Sequence, residues 1–268
     1  MLKSNNAEKQ QNYQKKIAPF EANIKELLKR ENYILNECRS DPATAAEKLF
    51  FLSERMLDTA SNYLVINGIG QAVLNTKDEE ALGEAKKSIS KALIYLENIV
   101  SGKIDVPFSE YEKALSELES VDAAQRYMLV RKVGLSISLL KTAYGDNSKW
   151  RWVFVDMEGH GAAASKNLLD LKKLQANNDP SSPDYEPLLY HIHFVKKMLS
   201  YTADRFHSRY MISSKRREDI FKAADFLSAL RRIHLILNEQ DEAEEVKKKY
   251  DSWLSAFENE TKKVAVKD

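Results

Sequence analysis

Residues 185–210 read YEPLLYHIHFVKKMLSYTADRFHSRY, and this stretch decides the fold class. Apolar or small side chains recur in it every three or four residues, at Tyr185, Leu188, Ile192, Val195, Leu199, Thr202, Phe206 and Tyr210. An α-helix completes a turn every ~3.6 residues, so this spacing places them on one face of a helix. Similar stripes occur along most of the chain, which predicts helices throughout.

The composition favours the same conclusion. The 268 residues include only 8 glycines and 6 prolines, the residues that tight turns need most. Apolar residues make up 43% of the chain, enough for a sizeable core, and charged residues make up 30%. We therefore predict an all-α protein with about eight or nine antiparallel helices.

The distribution of polar stretches predicts two helical parts. Pro19 suits the first turn of a helix, and NNDPSSPDYEP is the clearest loop in the chain. We expect a polar, partly disordered N-terminus (1–18), an N-terminal helical part (19–176), a loop (177–187), a C-terminal helical part (188–260) and a loose tail (261–268).

Charge and cysteine usage restrict the functional classes. The net charge of +1 provides no overall field for holding DNA or an anionic membrane. Cys38 is the only cysteine, and we expect it to be buried and inert, with no disulfide inside the chain. The first eleven residues lack the apolar core of a signal peptide, and no apolar run approaches the roughly 18 residues that span a bilayer. These features predict a cytoplasmic protein without membrane insertion.

The segment DMEGHG, residues 156–161, allows two interpretations. Val153–Val155 could be a short strand followed by a glycine turn that offers backbone N–H groups to a phosphate. The apolar stripe nevertheless passes through Gly159 and Gly161 without losing phase, so we favour a continuous helix. In that case, each glycine would cost ~1 kcal/mol relative to alanine, which indicates a close helix contact or a kink.

Two segments of the chain resemble each other. Val73–Ala81 reads VLNTKDEEA and Ile236–Ala243 reads ILNEQDEA, each between an apolar helix and a charged one. With their flanks, about 60–98 and 224–257, they resemble the helix–turn–helix unit of tetratricopeptide-type (TPR) repeats, which have a polar turn and an alanine early in the second helix. This resemblance implies an irregular TPR-like α-solenoid. The alternative is a compact helical bundle, because helical hairpins in general can produce such similar segments.

Basic residues of the second half are the first candidates for binding. They are Arg205, Arg209, Lys215, Arg216, Arg217, Arg231 and Arg232, interspersed with aromatic residues. Such a face could grip phosphate groups and stack on bases, or it could bind an acidic or phosphorylated peptide. The alternative is a solvated face with local ion pairs to nearby aspartates and glutamates.

His160 is the other candidate. It lies four residues after Asp156 and two after Glu158, so an acid–base pair or an ordinary histidine–carboxylate hydrogen bond is expected. His191 and His193 diverge by ~200° on a helix and cannot readily share a metal. We find no motif for a metal, a cofactor or a nucleophile, and we therefore assign no enzymatic activity.

These observations predict a non-enzymatic adaptor or scaffold whose helical surfaces bind another protein or a second copy of the chain. Two alternatives stay open. One is nucleic-acid or phospho-ligand binding through the basic face, which is not favoured because residues 184–239 hold ten basic against seven acidic residues, a small excess. The other is a small-ligand or enzyme site near His160.

Overall fold

The computed structural model describes the backbone of residues 2–145, 148–176 and 179–265, and within these ranges the side chains of residues 7–262. The described chain forms ten α-helices and no strand, which confirms the all-α prediction. Their bounds are α1 (Leu2–Ser40), α2 (Ala45–Leu74), α3 (Glu79–Val100), α4 (Glu112–Ser116), α5 (Ala123–Tyr144), α6 (Arg151–Asn167), α7 (Leu171–Ala176), α8 (Tyr185–Arg209), α9 (Arg217–Ile236) and α10 (Gln240–Ala265). A π-helical turn, Tyr210–Ser214, extends α8.

The N-terminal segment is helical, in contrast to our expectation of partial disorder. Helix α1 begins at Leu2 and continues through Pro19, which we expected at a first turn. Tyr13, Ile17 and Ile24 lie on both sides of the proline and are buried in one apolar cluster with α2 and α3. This burial offsets the backbone hydrogen bond that a proline removes from the helix interior.

The two similar segments, Val73–Ala81 and Ile236–Ala243, are both helix–turn–helix junctions, and we call them the echo segments. Asn75 ends α2 and Asn238 follows α9, and each has a left-handed backbone, with φ of 57° and 60°. Asparagine tolerates this conformation better than most residues, which explains its place in both turns. Ala81 and Ala243 follow in the next helices, and both are buried.

Helix α6 contributes to two apolar cores. Phe154 and Met157 belong to a core with α2, α3 and α5, while Val155 and Ala162 belong to a core with α8 and α9. The two helical parts that we predicted therefore share α6. The loop between them is shorter than 177–187, because α8 already begins at Tyr185; residues 177 and 178 lie outside the described residues.

The glycines of α6 allow neighbouring helices to approach closely. The helix is continuous from Arg151 to Asn167, as we favoured, so residues 153–155 form no strand. A Cβ atom at Gly159 would lie 3.0 Å from Cε2 of Phe206, and one at Gly161 would lie 3.3 Å from Cγ1 of Val133. The two glycines thus face α8 and α5, respectively, which confirms the prediction of close contact.

The C-terminal tail differs from our expectation. Helix α10 continues to Ala265, so residues 261–265 are helical, and residues 266–268 lie outside the described part of the chain. Within the described ranges, no helix combines the length and the hydropathy that crossing a bilayer requires.

Candidate interaction surface

Four of the seven predicted basic residues are in ion pairs. Arg205 Nε donates to Glu158 at 3.2 Å, and Lys215 Nζ lies 3.2 Å from a carboxylate oxygen of Glu260. Arg232 Nη2 lies 2.7 Å from Asp105 Oδ1. These residues are therefore paired with carboxylates, but three of the four pair with carboxylates more than about 40 positions away and not with the nearby ones that we expected.

Arg209 is the most enclosed of the four. Its two terminal nitrogens donate to both oxygens of Asp156 at 2.8 and 3.0 Å, and Nη2 also donates to the buried Asp219. The hydrogen bonds to these two carboxylates raise the pKa of Arg209 against the effect of its burial. Planar, bidentate contacts of this kind fix the end of α8 against α6 and α9.

The other three basic residues lie apart. Arg216 and Arg217 are exposed at the start of α9, and Arg231 is half-buried. Among the described residues, none of these three forms an ion pair. The four paired side chains therefore contact α6, α9, α10 and the segment before α4 at separate places, and carboxylates compensate their charges there.

His160 contacts a partner that the sequence does not suggest. Its Nδ1 forms a hydrogen bond with Glu97 of α3, rather than with Asp156 or Glu158 of its own helix. This hydrogen bond raises the pKa of His160 above its ordinary value, against the opposing effect of burial. A cavity of about 440 Å³ opens beside it.

The structure also places two further histidines and the single cysteine. His191 is buried and His193 is exposed, so the two rings diverge. Cys38 is only half-buried, less than we expected. Among the described residues, no group of three or more His, Cys, Asp or Glu side chains is placed to hold a metal ion.

The exposed face of α5 is unusually apolar. Eight side chains of α5 are exposed, and only Arg131 among them is charged. Without Gln125 of the first turn, they form a row that we call the α5 strip: Ala124, Met128, Arg131, Leu135, Ser138, Leu139 and Thr142. Leu135 is 57% exposed, Met128 55% and Leu139 48%. Single exposed apolar residues are common, but four on one face within ~4 helical turns, with Arg131 between Met128 and Leu135, indicate an interaction site.

The strip lies beside a groove between α5 and α8. The two helices run in the same direction, since Tyr127 packs on Tyr190 near their beginnings and Lys141 donates to Tyr201 further along. A Cβ at Gly134 would lie 3.0 Å from Phe194 Cζ, so this glycine admits the aromatic ring between the helices. Tyr190 and Tyr201 are 54% and 43% exposed and extend the apolar surface onto α8.

The floor of this groove is charged but compensated. The cavity measures about 290 Å³, and Glu158 lies at its base with only 5% of its side chain exposed. Lys141 and Arg205 both pair with this carboxylate. Exposed Lys197 lines the groove and exposed Arg131 lies within the α5 strip, and neither has an ion-pair partner among the described residues. The surface is therefore apolar with a positive edge.

Sequence reasoning missed this surface, although a signal was present. Residues 124–142 contain two interleaved apolar stripes, one for the core and one outside it. A helix with apolar residues on several sides is normally buried, so the outer stripe gave no reason to expect exposure.

Comparison with known families supplies a name for the whole helical array. A sequence model of the TP0443 family matches residues 9–261. The chain belongs to the TP0443 family. The match covers all of helices α2 to α9 and most of α1 and α10. No curated protein and no solved structure matches the chain.

Proposed function

We propose that this TP0443 family member is a non-enzymatic adaptor that binds an acidic, amphipathic helix of another protein along α5 and α8. The α5 strip carries the proposal, because a five-turn helix face exposed to water with a single charge is what a docking helix would cover. The single cysteine agrees with action in the cytoplasm.

The groove favours a helix as the occupant. The strip from Ala124 to Thr142 extends for ~27 Å at 1.5 Å per residue, which matches an incoming helix of about 18 residues. Apolar side chains of that helix at positions i, i+4 and i+7 would contact Met128, Leu135 and Leu139. Tyr190 and Tyr201 add aromatic anchors, a residue type that contributes strongly to binding energy.

The flanking charges favour an acidic occupant. Arg131 within the α5 strip and Lys197 on α8 would each face a carboxylate of the bound helix, and these pairs would select the partner and speed its association. The carboxylate of Glu158 already has two cationic partners and would not oppose such a helix.

Site-specific photo-crosslinking tests the proposal. We would place a benzoylphenylalanine at Leu135 of the full-length protein and, as a control, at Ile94, an exposed apolar residue of α3. We expect crosslinks at position 135 to a peptide that mass spectrometry identifies as an acidic amphipathic helix of another protein. Crosslinks to a second copy of the chain would overturn the proposal in favour of self-association, and crosslinks to nucleic acid would do so in favour of that alternative.

A charge reversal tests the acidic character of the partner. The double variant Arg131→Glu, Lys197→Glu should reduce the yield of the crosslink at Leu135 severalfold, and high salt should reduce the wild-type yield as well. The variant Lys9→Glu, Lys248→Glu reverses two exposed charges elsewhere and should leave the yield unchanged. Equal yields for the two double variants would exclude an acidic helix.

We propose in addition that the two echo segments are irregular repeats of the tetratricopeptide type. Each joins its helices through a left-handed asparagine, and each places a buried alanine early in the second helix. Buried alanines let neighbouring helices pack closely, which is the role that the resemblance implies for Ala81 and Ala243.

A further inference from the structure

The cavity between α5 and α8 is lined by two helix faces in register. Four residues of each helix at positions i, i+3, i+4 and i+7 line it, so each set shares one face: Gly134, Ile137, Ser138 and Lys141 on α5, and Phe194, Lys197, Met198 and Tyr201 on α8. Lys141 donates to Tyr201 at 2.9 Å, 60 positions further along, and Phe194 packs on Gly134 with the same separation. Two parallel helices in register leave a hole between them that a side chain of a third helix can enter.

The walls of this cavity suit an aromatic ring. Ile137, Phe194 and Met198 supply apolar surface on both sides of it. Met198 is half-buried, and its flexible thioether can adapt to a ring and contact its edge. The volume of about 290 Å³ lies just below the range of ~300–1,000 Å³ that encloses whole ligands, so the cavity has room for one large side chain.

The base of the cavity is polar and its charge is compensated. Glu158 Oε1 accepts from Lys141 and, at 3.4 Å, from the hydroxyl of Tyr201, while Arg205 donates to Oε2 at 3.2 Å. A carboxylate has about four lone-pair sites, so these three contacts leave one for a further donor. A positive side chain would meet Lys141 there, and a negative one would meet Glu158. A neutral N–H or O–H donor therefore complements the base, while exposed Lys197 faces the partner's carboxylates outside it.

We propose that this cavity receives an aromatic side chain with a hydrogen-bond donor, tryptophan or tyrosine, from the acidic helix that docks along α5 and α8. The ring lies between Ile137, Phe194 and Met198, and its N–H or O–H group donates to Glu158. Phenylalanine or leucine would contact the same walls but would cover the carboxylate without supplying a donor. The inference rests on the proposed function and names the residue type that anchors the partner.

Four analogues of side chains test the walls and the donor separately. Skatole is the tryptophan side chain, and N-methylskatole is the same ring without its N–H donor; para-cresol and toluene are the corresponding pair for tyrosine. Amide chemical shifts of the isotope-labelled full-length protein report their affinities. We expect skatole to bind at least roughly fivefold more tightly than N-methylskatole, although the extra methyl group makes the latter more apolar, and para-cresol to exceed toluene similarly. Equal affinities within each pair, or no binding of skatole and para-cresol, would overturn the proposal.

Matched tryptophan variants locate the binding. Met198→Trp fills the cavity and should abolish skatole binding, whereas Met211→Trp adds the same ring at a position that is 51% exposed and should leave the affinity unchanged. Thermal melting establishes that both are folded. Ser138→Trp, at the exposed rim of the cavity, replaces Met198→Trp if that variant does not fold. Wild-type affinity for skatole in a folded cavity-filling variant would refute the inference.

The partner captured by the crosslink at Leu135 separates this inference from the proposed function. An acidic helix with a tryptophan or tyrosine on its docking face supports both, and replacing that residue by alanine should reduce the crosslink yield at least roughly tenfold. An acidic helix without either residue on that face would refute the aromatic anchor and leave the adaptor function intact. Capture of a partner that has no acidic helix would overturn both proposals.

Discussion

Replacing the glycines of α6 by alanine tests the close packing on which the fold depends. In an exposed helix interior, Gly→Ala should stabilise the protein by ~1 kcal/mol. At Gly159 the new Cβ would lie 3.0 and 3.1 Å from two ring atoms of Phe206, which is buried and stacked on Phe226. Overpacking of this kind costs ~1–3 kcal/mol, so the gain from helix propensity should be cancelled or reversed.

Two other glycines provide the comparison. A Cβ at Gly68, on the exposed side of α2, has no neighbour within 4 Å, so Gly68→Ala should show the full gain. A Cβ at Gly161 would lie 3.3 and 3.4 Å from methyl groups of Val133 and Ile137, which can shift slightly, so its effect should be intermediate. The expected order of stability is Gly68→Ala, then Gly161→Ala, then Gly159→Ala.

Urea unfolding followed by circular dichroism measures these differences. The free energies of unfolding of Gly68→Ala and Gly159→Ala should differ by ~1–3 kcal/mol, the steric part of the effect. Adding Phe206→Leu to Gly159→Ala should recover part of the loss, because a smaller side chain leaves room for the methyl group. Equal stabilisation by alanine at positions 68 and 159 would refute the packing of Phe206 against α6.

Three further predictions concern buried groups elsewhere. Burial lowers the pKa of His191 from 6.5 to about 4, so the unfolded chain takes up its proton first as the pH falls. The free energy of unfolding of the wild type minus that of His191→Gln should then be constant above about pH 7 and decrease by ~3 kcal/mol toward pH 4. A difference that does not change with pH would contradict this prediction. Ala81→Trp and Ala243→Trp should each lower the free energy of unfolding by ~1–3 kcal/mol, because both alanines are buried. The control Ala256→Trp, at an exposed position, should change it little. Unchanged melting of the first two variants would remove the basis of the repeat proposal. Arg209→Met leaves the buried carboxylate of Asp219 without its ion-pair partner, whereas Asp156 keeps Lys222 at 3.7 Å. The variant should destabilise the protein by ~3–5 kcal/mol in urea unfolding at pH 7, and a loss below ~1 kcal/mol would show that the ion pair with Asp219 contributes little.

The sequence was sufficient for the features that depend on local periodicity. The stripe of α8 and the unbroken phase through Gly159 predicted helices that the structure contains. The apolar stripe and the helical phase both depend on residues only a few positions apart. Pro19 shows the limit of such reasoning, since its local preference for a first turn is outweighed by burial of residues on both sides of it.

The candidate sites depended on contacts that are distant in sequence. Glu97 is 63 positions from His160, and Glu158 is 47 positions from Arg205. Spacing along one helix cannot reveal such pairs, so His160 was assigned the wrong partner and the basic residues were interpreted as one face. The exposure of Leu135 was likewise unpredictable, because it depends on which sides of α5 the distant helices α2 and α8 cover.

The position of α6 in both cores has a consequence for how the molecule opens. A chain with two independent cores could lose one half while the other stayed intact. Here, release of either half would expose Phe154 and Met157 on one side of α6, or Val155 and Ala162 on the other. Backbone amides of α6 should therefore exchange with solvent deuterium only when the entire molecule unfolds, whereas the outer helices α1 and α10 can open locally.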